Sequence, residues 1–464
     1  MMRTVLNPDL NGNFAPVDKE ITTNALQVIG ELPSDLSGMF VRNGPNPLWK
    51  PIGRYHWFDG DGMLHGVRIS NGQATYRNRY IRTQAWKLEN EAGKAIWSGF
   101  LEAMQNNPNG YYKNTANTAP IWHGGQLLAL WEGGVPYAIK VPELETIGEH
   151  TYNGKLASAF TAHPKVDPET GEMMFFGHAP TPPYLQYSVV SSQGELLQTV
   201  PIDLPMAVFM HDFAITQKYT IFMDLPLTIS DERMERGEPL MMFESDKPSR
   251  FGIIPRYGDN RNIQWFECPA CYVFHILNAY EEREEVVLIA CRMSSTNVFG
   301  RPKTRPDLQA DIPRLHRWRF NLISGTVTEE MLDDVPSEFP RINENLLGRP
   351  TRFGYAYKMT RSSAPVGQGI IKYDLRDSNS ETHKFGRGRY CSEAVFVPRP
   401  HSQEEDDGWL VTFVYDSSED KSELVVVNAQ DMTAEPVARV LIPQRVPYGF
   451  HGAWISEEQL RAGV

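Results

Sequence analysis

Short runs with β-strand character, separated by turn residues, recur from one end of this chain to the other. Examples are "GMLHGVRISNGQATYRNRYI", "GQLLALWEGGVPYAIKV" and "GWLVTFVYDSSEDKSELVVVNA", in which apolar residues roughly alternate around Gly, Asn, Asp or Ser. That pattern is typical of β-hairpins. Helical periodicity is rare, and residues 91–105 are the best candidate for a helix. Strand, turn and strand repeated over 464 residues favour a barrel or a propeller over an α/β fold.

The charge balance and the absence of apolar stretches exclude several classes of protein. The net charge of −12 argues against a nucleic-acid partner, because neutralising phosphates needs a basic surface. The N-terminal "MMRTVLNPDLNGNF" has no basic region followed by an apolar run, so we expect no secretory signal. No apolar run reaches the length of about 18 residues that a membrane span needs. We therefore expect a cytoplasmic protein, at most peripheral on a membrane surface.

Two short motifs have simpler explanations than metal binding. The four cysteines are Cys268, Cys271, Cys291 and Cys391. They are too few for a disulfide framework in a chain of this length, which favours a reducing compartment. Cys268 and Cys271 match C-x-x-C, but without a second such pair we expect two thiols beside a strand rather than a zinc site. "FDGDGM" (58–63) lacks the later ligands of a calcium loop, so a tight turn is predicted there.

Four of the twelve histidines lie beside aromatic or apolar residues in segments with β-strand character. They are His163 in "AFTAHPKV", His211 in "AVFMHDFAIT", His275 in "CYVFHILNAYEE" and His451 in "RVPYGFHGAWI". The stretch 159–178 predicts a hairpin with His163 and His178 near its outer ends and a turn over residues 167–171. Each of the four histidines is either a core residue bonded to a backbone carbonyl or a metal ligand.

A propeller can build a metal site on its axis by taking one histidine from each of several blades. Four neutral imidazoles suit a borderline ion such as Fe(II), and they leave two octahedral positions free for O₂ and substrate. Carboxylates that accept the other ring N–H would orient the imidazoles. Spacing this long has no local signature, so the residues alone leave both the core and the metal interpretations open.

These segments and several others resemble the carotenoid cleavage oxygenase family. "FVRNGPNP" (40–47) and "HWFDGDGMLHG" (56–66) are similar to its N-terminal signatures, and "NTANT" followed by "LALWEGG" is similar to the next block. "TAHPKVDP", "MHDFAIT", "FHILNAYEE" and "YGFHGAW" are similar to its four histidine blocks, in family order. "SEFPRIN" and "SEAVFVPRP" are similar to its two later glutamate blocks. The resemblance runs from about residue 25 to residue 460.

The resemblance implies an all-β fold: a seven-bladed β-propeller, a single domain over residues 1–464, with short helices and loops capping the iron-bearing face. It also implies that Fe(II) is the cofactor. The implied iron ligands are His163, His211, His275 and His451. His178 matches no ligand position of the family.

The resemblance also assigns residues around the iron. The implied carboxylate partners of the histidines are Glu132 for His211, Glu338 for His275 and Glu393 for His451. His163 is left without a carboxylate. Thr118 of "NTANT" matches a threonine whose methyl group crowds one open iron position.

The plant-type branch of the family is the most similar, through "MHDFAITQKYTIFMDLPL", "KPSRFGIIPRYG" and "RVPYGFH". This implies cleavage of carotenoids by O₂ at the 9,10 and 9′,10′ double bonds, giving apocarotenoid aldehydes or ketones. Relatives that cleave stilbenes or phenylpropenes usually carry a lysine where this chain has Trp131, and an apolar residue favours a polyene. The alternatives are apocarotenoid cleavage at another bond, stilbene or phenylpropene cleavage, isomerisation without net oxidation, and a carotenoid-binding propeller without catalysis.

The apolar residues give predictions about the substrate tunnel and about contact with lipid. Phe58, Trp131, Phe274 and Phe450 are candidates for lining a tunnel, and core packing is the alternative. Because carotenoids dissolve in membranes, some surface should touch lipid. In residues 91–105, Trp97, Phe100, Leu101 and Met104 follow the spacing of an amphipathic helix face. Residues 223–243 are a second candidate, through Leu225, Leu227, Leu240, Met241 and Met242. Core packing is the alternative for both segments.

Overall fold

A computed structural model describes residues 7–102, 107–296, 312–359 and 366–463. In these ranges most of the regular structure is β-strand, so the all-β class is confirmed. The chain groups into two compact units. Unit 1 comprises Met1–Asn153, Lys384–Ser402 and Asp407–Val464, and unit 2 comprises Gly154–His383 and Gln403–Asp406. A single domain over residues 1–464 stays a prediction.

The strands are numbered in chain order over the described residues. The first nine are β1 (Thr22–Thr23), β2 (Val28–Gly30), β3 (Gly38–Pro45), β4 (Gly62–Ser70), β5 (Gln73–Tyr80), β6 (Ala119–His123), β7 (Gln126–Leu130), β8 (Tyr137–Lys140) and β9 (Glu145–Glu149). The next nine are β10 (Lys165–Val166), β11 (Met173–His178), β12 (Leu185–Val190), β13 (Leu196–Ile202), β14 (Ala214–Ile215), β15 (Tyr219–Asp224), β16 (Leu227–Ile229), β17 (Met241–Phe243) and β18 (Ser249–Pro255). Then come β19 (Gln264–Cys268), β20 (Tyr272–Glu282), β21 (Glu285–Met293), β22 (Arg314–Asn321), β23 (Val327–Met331), β24 (Ser337–Arg341), β25 (Phe353–Met359), β26 (Gly367–Asp374) and β27 (Asn379–Lys384). The last are β28 (Arg389–Cys391), β29 (Val395–Pro398), β30 (Gly408–Asp416), β31 (Lys421–Asn428), β32 (Ala438–Leu441) and β33 (Gly452–Ser456).

The strands of unit 1 form antiparallel sheets with their apolar faces buried. One sheet has the order β1-β5-β4-β3-β33 and another the order β6-β7-β8-β9, while β2, β32, β31 and β30 pair in sequence. The hairpin β4–β5 turns at Asn71 and Gly72, with φ values of 51° and 70°, the left-handed conformation that favours this pair of residues in a two-residue turn. In β5, buried and more exposed residues alternate, as expected for a half-buried strand. Phe40 and Phe413 meet in the core.

Unit 2 contains sheets of four antiparallel strands. Their orders are β10-β11-β12-β13, β14-β15-β18-β19 and β20-β21-β22-β23, with the hairpin β16–β17 inserted in the second, and β24, β25 and β26 also pair in sequence. Four-stranded antiparallel sheets are the usual blades of a β-propeller. Phe176, Phe213 and Phe222 belong to one apolar cluster that contains residues of the first two of these sheets.

The helices of the described residues are short. The α-helices are α1 (Gln84–Ala92), α2 (Asp231–Glu235) and α3 (Glu457–Ala462), and the 3-10 turns are Pro8–Leu10, Gly12–Phe14, Trp57–Asp59, Phe100–Glu102 and Glu344–Leu346. None of these described helices is long and apolar enough to cross a membrane.

The helix predicted over residues 91–105 is wrong. Helix α1 ends at Ala92 because Gly93 adopts a φ of 64° and donates its N–H to the carbonyl of Glu89, a common helix stop. Trp97 is buried, and its Nε1 donates to the carbonyl of Gly110 at 3.0 Å. The ring therefore belongs to the core and does not form the predicted lipid-facing helix surface with Phe100. The side chain of Leu101 and all of Met104 lie outside the described residues.

The second predicted lipid segment, residues 223–243, is wrong for its leucines. Leu225, Leu227 and Leu240 are buried, because this segment runs through β15, the inserted hairpin β16–β17 and α2. Met241 is half-buried and Met242 is exposed. The leucines are core residues.

In the two motifs for which simpler explanations were expected, the aspartates of the first have protein partners and the cysteines of the second are buried. The carboxylate of Asp59 accepts the N–H groups of Phe100 and His56, both at 2.8 Å, and Lys113 lies 2.7 Å from Asp61. The aspartates of "FDGDGM" thus stabilise a turn. Cys268, Cys271, Cys291 and Cys391 are buried, and no cysteine joins a group of potential metal ligands in the described part of the chain.

Candidate metal centre

The hairpin that follows His163 has the predicted position. Strand β10 pairs with β11, and the N–H of Gly171 bonds to the carbonyl of Asp167 at 2.8 Å, closing the turn. His163 itself precedes β10, and its N–H bonds to Oγ1 of Thr161 at 3.1 Å. His178, at the other end, closes β11.

Three histidines of unit 2 converge through their Nε2 atoms. Nε2 of His163 lies 3.0 Å from Nε2 of His211, which in turn lies 3.3 Å from Nε2 of His275. Two imidazole nitrogens bound at right angles to one ion, each at about 2.1 Å, are about 3 Å apart. The spacing of the three nitrogens is therefore that of neighbouring ligands around a single metal ion.

An irregularity in β20 accompanies the placement of His275. Val273 pairs with Arg292, whereas Ile276 pairs with Ala290, so β20 carries one extra residue between these pairs. The register shifts again between Ile276 and Asn278. Bulges of this kind redirect side chains and are frequent next to active sites.

A buried carboxylate fixes the ring of His275. Oε2 of Glu338 lies 2.6 Å from Nδ1 of His275 and also accepts the N–H of Phe339 at 2.5 Å. An ionised carboxylate can only accept, so Nδ1 of the imidazole carries the proton and Nε2 presents a lone pair. Phe339 has a φ of 51°, a conformation that is uncommon for residues other than glycine and is often found at functional sites.

In unit 1, His451 has a similar carboxylate partner. Its Nδ1 lies 3.0 Å from Oε1 of Glu393, whose Oε2 accepts the N–H of Gly452 at 2.7 Å. The backbone N–H of His451 donates to the carbonyl of Thr118 at 3.1 Å. His451 therefore also holds its proton on Nδ1, and its Nε2 presents a lone pair.

The four histidines form one group of potential metal ligands. Each of His163, His211, His275 and His451 offers a ring nitrogen, and these atoms all lie within 4.8 Å of one another. His163 is half-buried and the others are buried. In the described residues this group contains histidines alone. Four neutral nitrogen donors fit a borderline divalent ion such as iron.

Three further predicted site residues, Thr118, Trp131 and Glu132, lie in unit 1. Thr118 is buried, and Glu132 and Trp131 are half-buried directly after β7. Their proposed roles beside the metal stay predictions.

The aromatic tunnel candidates have neighbours of two kinds. Phe58 and Phe450 meet edge to face, with ring centroids 5.3 Å apart. Phe274 lies edge-on to His211 at 5.3 Å. Two of the four aromatic residues thus contact each other, and a third contacts a histidine of the group. The lining of a tunnel stays a prediction.

Two residues near the histidines escaped the sequence analysis. The ring of Phe339 lies 4.7 Å from that of His275, and the carboxylate of Asp212 bonds to the backbone of Ile276 at 2.9 Å. The available signal was adjacency, since Asp212 follows His211 and Phe339 follows Glu338. Adjacency alone does not distinguish such residues from ordinary neighbours.

Comparison with known proteins agrees with this geometry. The sequence model of the family described as RPE65, retinal pigment epithelial membrane protein, matches residues 14–456. The chain therefore belongs to the carotenoid cleavage oxygenase family. Among similar curated proteins are the carotenoid 9,10(9′,10′)-cleavage dioxygenases 1 of Phaseolus vulgaris, 43% identical, and of Arabidopsis thaliana, 44% identical. Both similarities cover 97% of this chain and 90% of the relative.

Solved structures share the fold. A Pseudomonas brassicacearum lignostilbene dioxygenase is 32% identical with a TM-score of 0.90, covering 97% of this chain and 99% of that chain. A cobalt-substituted Synechocystis apocarotenoid oxygenase is 30% identical with a TM-score of 0.86, covering 95% and 97%. The β-propeller class is confirmed by these neighbours, and the number of seven blades stays a prediction.

Proposed function

We propose that this protein is an Fe(II)-dependent dioxygenase that cleaves carotenoids at the 9,10 and 9′,10′ double bonds and yields apocarotenoid aldehydes and ketones. The convergence of four histidine nitrogens within 4.8 Å is the observation that carries the proposal. The names and 43–44% identity of the plant relatives support the substrate and the scissile bonds.

In this proposal His163, His211, His275 and His451 would hold the iron through their ring nitrogens. The bound iron would supply the chemistry that activates O₂. Glu338 and Glu393 keep the proton on Nδ1 of His275 and His451, so that neither ring can rotate its N–H toward the ion. Because all four ligands are neutral, the ion would keep its full positive charge.

Glu132 and Thr118 have proposed roles that rest on resemblance. Glu132 would orient His211 as Glu338 orients His275. The methyl group of Thr118 would crowd one open position of the iron. The hydrogen bond from His451 to the carbonyl of Thr118 supports a place for this threonine near the metal.

Aromatic side chains would position the polyene and exclude water. Phe274, at the edge of His211, and the pair Phe58 and Phe450 are apolar surfaces suited to a hydrocarbon. A dry, shaped tunnel would hold the double bond against the metal and prevent side reactions. We also propose that the protein is cytoplasmic. Because its substrate dissolves in lipid, we propose that it contacts membranes peripherally.

Cleavage of a stilbene is the second candidate, since the lignostilbene dioxygenase structure matches with a TM-score of 0.90. Trp131 argues against it, because a tryptophan offers no cation for a phenolate. Incubation of the iron-loaded protein with β-carotene and, separately, with a hydroxylated stilbene tests the choice. We expect two thirteen-carbon ketones and one fourteen-carbon dialdehyde from β-carotene. Aromatic aldehydes from the stilbene, with β-carotene left intact, would overturn the proposal.

A further inference from the structure

Asp212 is a buried carboxylate that bonds to two other chain segments, the one that contains His163 and the one that contains His275. It is 1% exposed and follows His211 directly, yet it does not belong to the group of potential metal ligands. Its role must therefore be sought in the contacts of its two oxygens.

One oxygen of Asp212 bonds to the strand of His275. Oδ2 accepts the backbone N–H of Ile276 at 2.9 Å. Ile276 lies where the register of β20 shifts, and its N–H points to the carboxylate. The bulge that accompanies His275 thus has its backbone anchored by a side chain that neighbours His211.

The other oxygen bonds to the hairpin of His163. Oδ1 lies 2.7 Å from Nζ of Lys165, two residues beyond His163, and it also accepts the N–H of Phe213 at 2.8 Å. The Lys165 side chain is 14% exposed, so this ion pair is largely shielded from water. Ion pairs and charge-assisted bonds in such surroundings are strong when every oxygen has a donor.

We propose that Asp212 is a positioning residue that fixes the separation of His163, His211 and His275 for the metal. The proposal rests on the metal site described under the proposed function. Asp212 joins three chain segments, each within two residues of one ligand. Such outer contacts orient ligands, and their loss typically lowers metal affinity about 10–100-fold.

The carboxylate cannot be replaced by an amide of the same shape. In Asp212→Asn the amide nitrogen, which is a donor, would face either Lys165 or the N–H of Ile276, which are also donors. One of the two links would break. Lys165→Met would break only the link to the His163 hairpin, and Lys165→Arg would keep it.

The test measures iron affinity by competition with a chelator, the visible spectrum of the Co(II)-substituted protein, and the melting temperature of the metal-free protein. Asp224→Asn is the matched control, because Asp224 is a buried carboxylate of the same unit that bonds to Arg250 at 2.8 Å. Among the described residues it does not bond to a segment that carries one of the four histidines. We expect Asp212→Asn to lower iron affinity about tenfold or more and to alter the cobalt spectrum. We expect Asp224→Asn to lower only the melting temperature.

The lysine variants keep the inference testable if Asp212→Asn does not fold. Lys165→Met should weaken iron binding, and Lys165→Arg should restore it to near the wild-type value. Unchanged iron affinity and cobalt spectrum in Lys165→Met, or in a folded Asp212→Asn, would overturn the inference while leaving the proposed function intact. Failure of the wild-type protein to bind iron would overturn both.

Discussion

Nδ1 of His275 lies 2.6 Å from Oε2 of Glu338, and both side chains are buried. A bond this short between an imidazole N–H and a carboxylate is charge-assisted and holds the ring in one orientation. Since Nδ1 is occupied as a donor, Nε2 presents its lone pair. The pair His451 and Glu393, at 3.0 Å, repeats the same relationship.

Glu338→Gln should lower iron affinity and turnover about 10–100-fold. The amide of glutamine can still accept a hydrogen bond, but it lacks the charge that holds the proton on Nδ1 of His275. Iron content after dialysis against a chelator and kcat on a carotenoid measure the effect. Glu329→Gln is the control, because Glu329 accepts from Nε1 of Trp318 at 2.9 Å in the neighbouring sheet. Equal effects of the two changes would show that Glu338 acts only on stability.

His211→Ala should abolish both iron retention and activity while the protein still folds. His211 is the central member of the three histidines of unit 2, with its Nε2 atom 3.0 and 3.3 Å from those of His163 and His275. Its loss removes one ligand from the site. Metal analysis and circular dichroism measure the two outcomes.

His178→Ala is the matched control for that experiment. His178 lies in the same unit, at the end of β11, but it is not in the group of potential ligands. The His178→Ala variant should therefore retain iron. A His211→Ala variant with full iron content would remove His211 from the ligand set.

Trp97→Ser should destabilise the protein by about 3–5 kcal/mol, the usual cost of truncating a buried tryptophan. The ring is 7% exposed and its Nε1 bonds to Gly110, so the change leaves a cavity and an unpaired carbonyl. Chemical denaturation measures the loss. Ile147→Ser, at a side chain that is 65% exposed, should have little effect. Weaker liposome binding by Trp97→Ser with unchanged stability would instead favour a lipid-facing tryptophan.

His56 should cause the free energy of unfolding of the metal-free protein to decrease as the pH falls from about 6.5 to 4. Burial, with a smaller contribution from the charge of Arg54, lowers the pKa of His56 to about 4. In the unfolded chain the pKa is about 6.5, so between these values the unfolded chain binds a proton that the folded chain does not. The stabilisation is fully present above pH 6.5 and is lost toward pH 4.

His56→Asn isolates this contribution. Asparagine can still accept the N–H of Phe58, which bonds to Nδ1 of His56 at 3.2 Å, but it does not titrate. The free energy of unfolding of the variant should therefore fall less between pH 6.5 and 4 than that of the wild type. At pH 8, the difference in the free energy of unfolding between the wild type and His56→Asn gives the effect of the altered packing alone. Parallel pH profiles would contradict the lowered pKa.

Local signals in the sequence sufficed for the β class and for individual hairpins. Alternating burial in β5 and the Asn71–Gly72 turn follow directly from residue types. Residues 91–105 misled because Trp97 and Phe100 have helical spacing. In the structure Gly93 stops helix α1 before both residues, Trp97 lies in an irregular segment, and Phe100 begins a 3-10 turn.

The histidines could be selected from their apolar surroundings, but the sequence alone could not bring them together. Resemblance supplied the pairs of Glu338 with His275 and of Glu393 with His451, which the structure contains as hydrogen bonds. The bond from Asp212 to Ile276 joins residues 64 positions apart. It depends on a bulge whose position only the folded strands define, so no local pattern predicts it.

Cleavage of β-carotene under ¹⁸O₂ tests the central claim, that this protein is a carotenoid dioxygenase, most directly. One O₂ consumed per double bond, with one atom entering each carbonyl, balances the reaction without an external electron donor. In an assay quick enough to limit exchange with water, we expect the thirteen-carbon ketones and the fourteen-carbon dialdehyde all to carry ¹⁸O. Label in only one of the two carbonyls formed at each bond, with the other oxygen shown to come from H₂¹⁸O in the reciprocal experiment, would contradict the account.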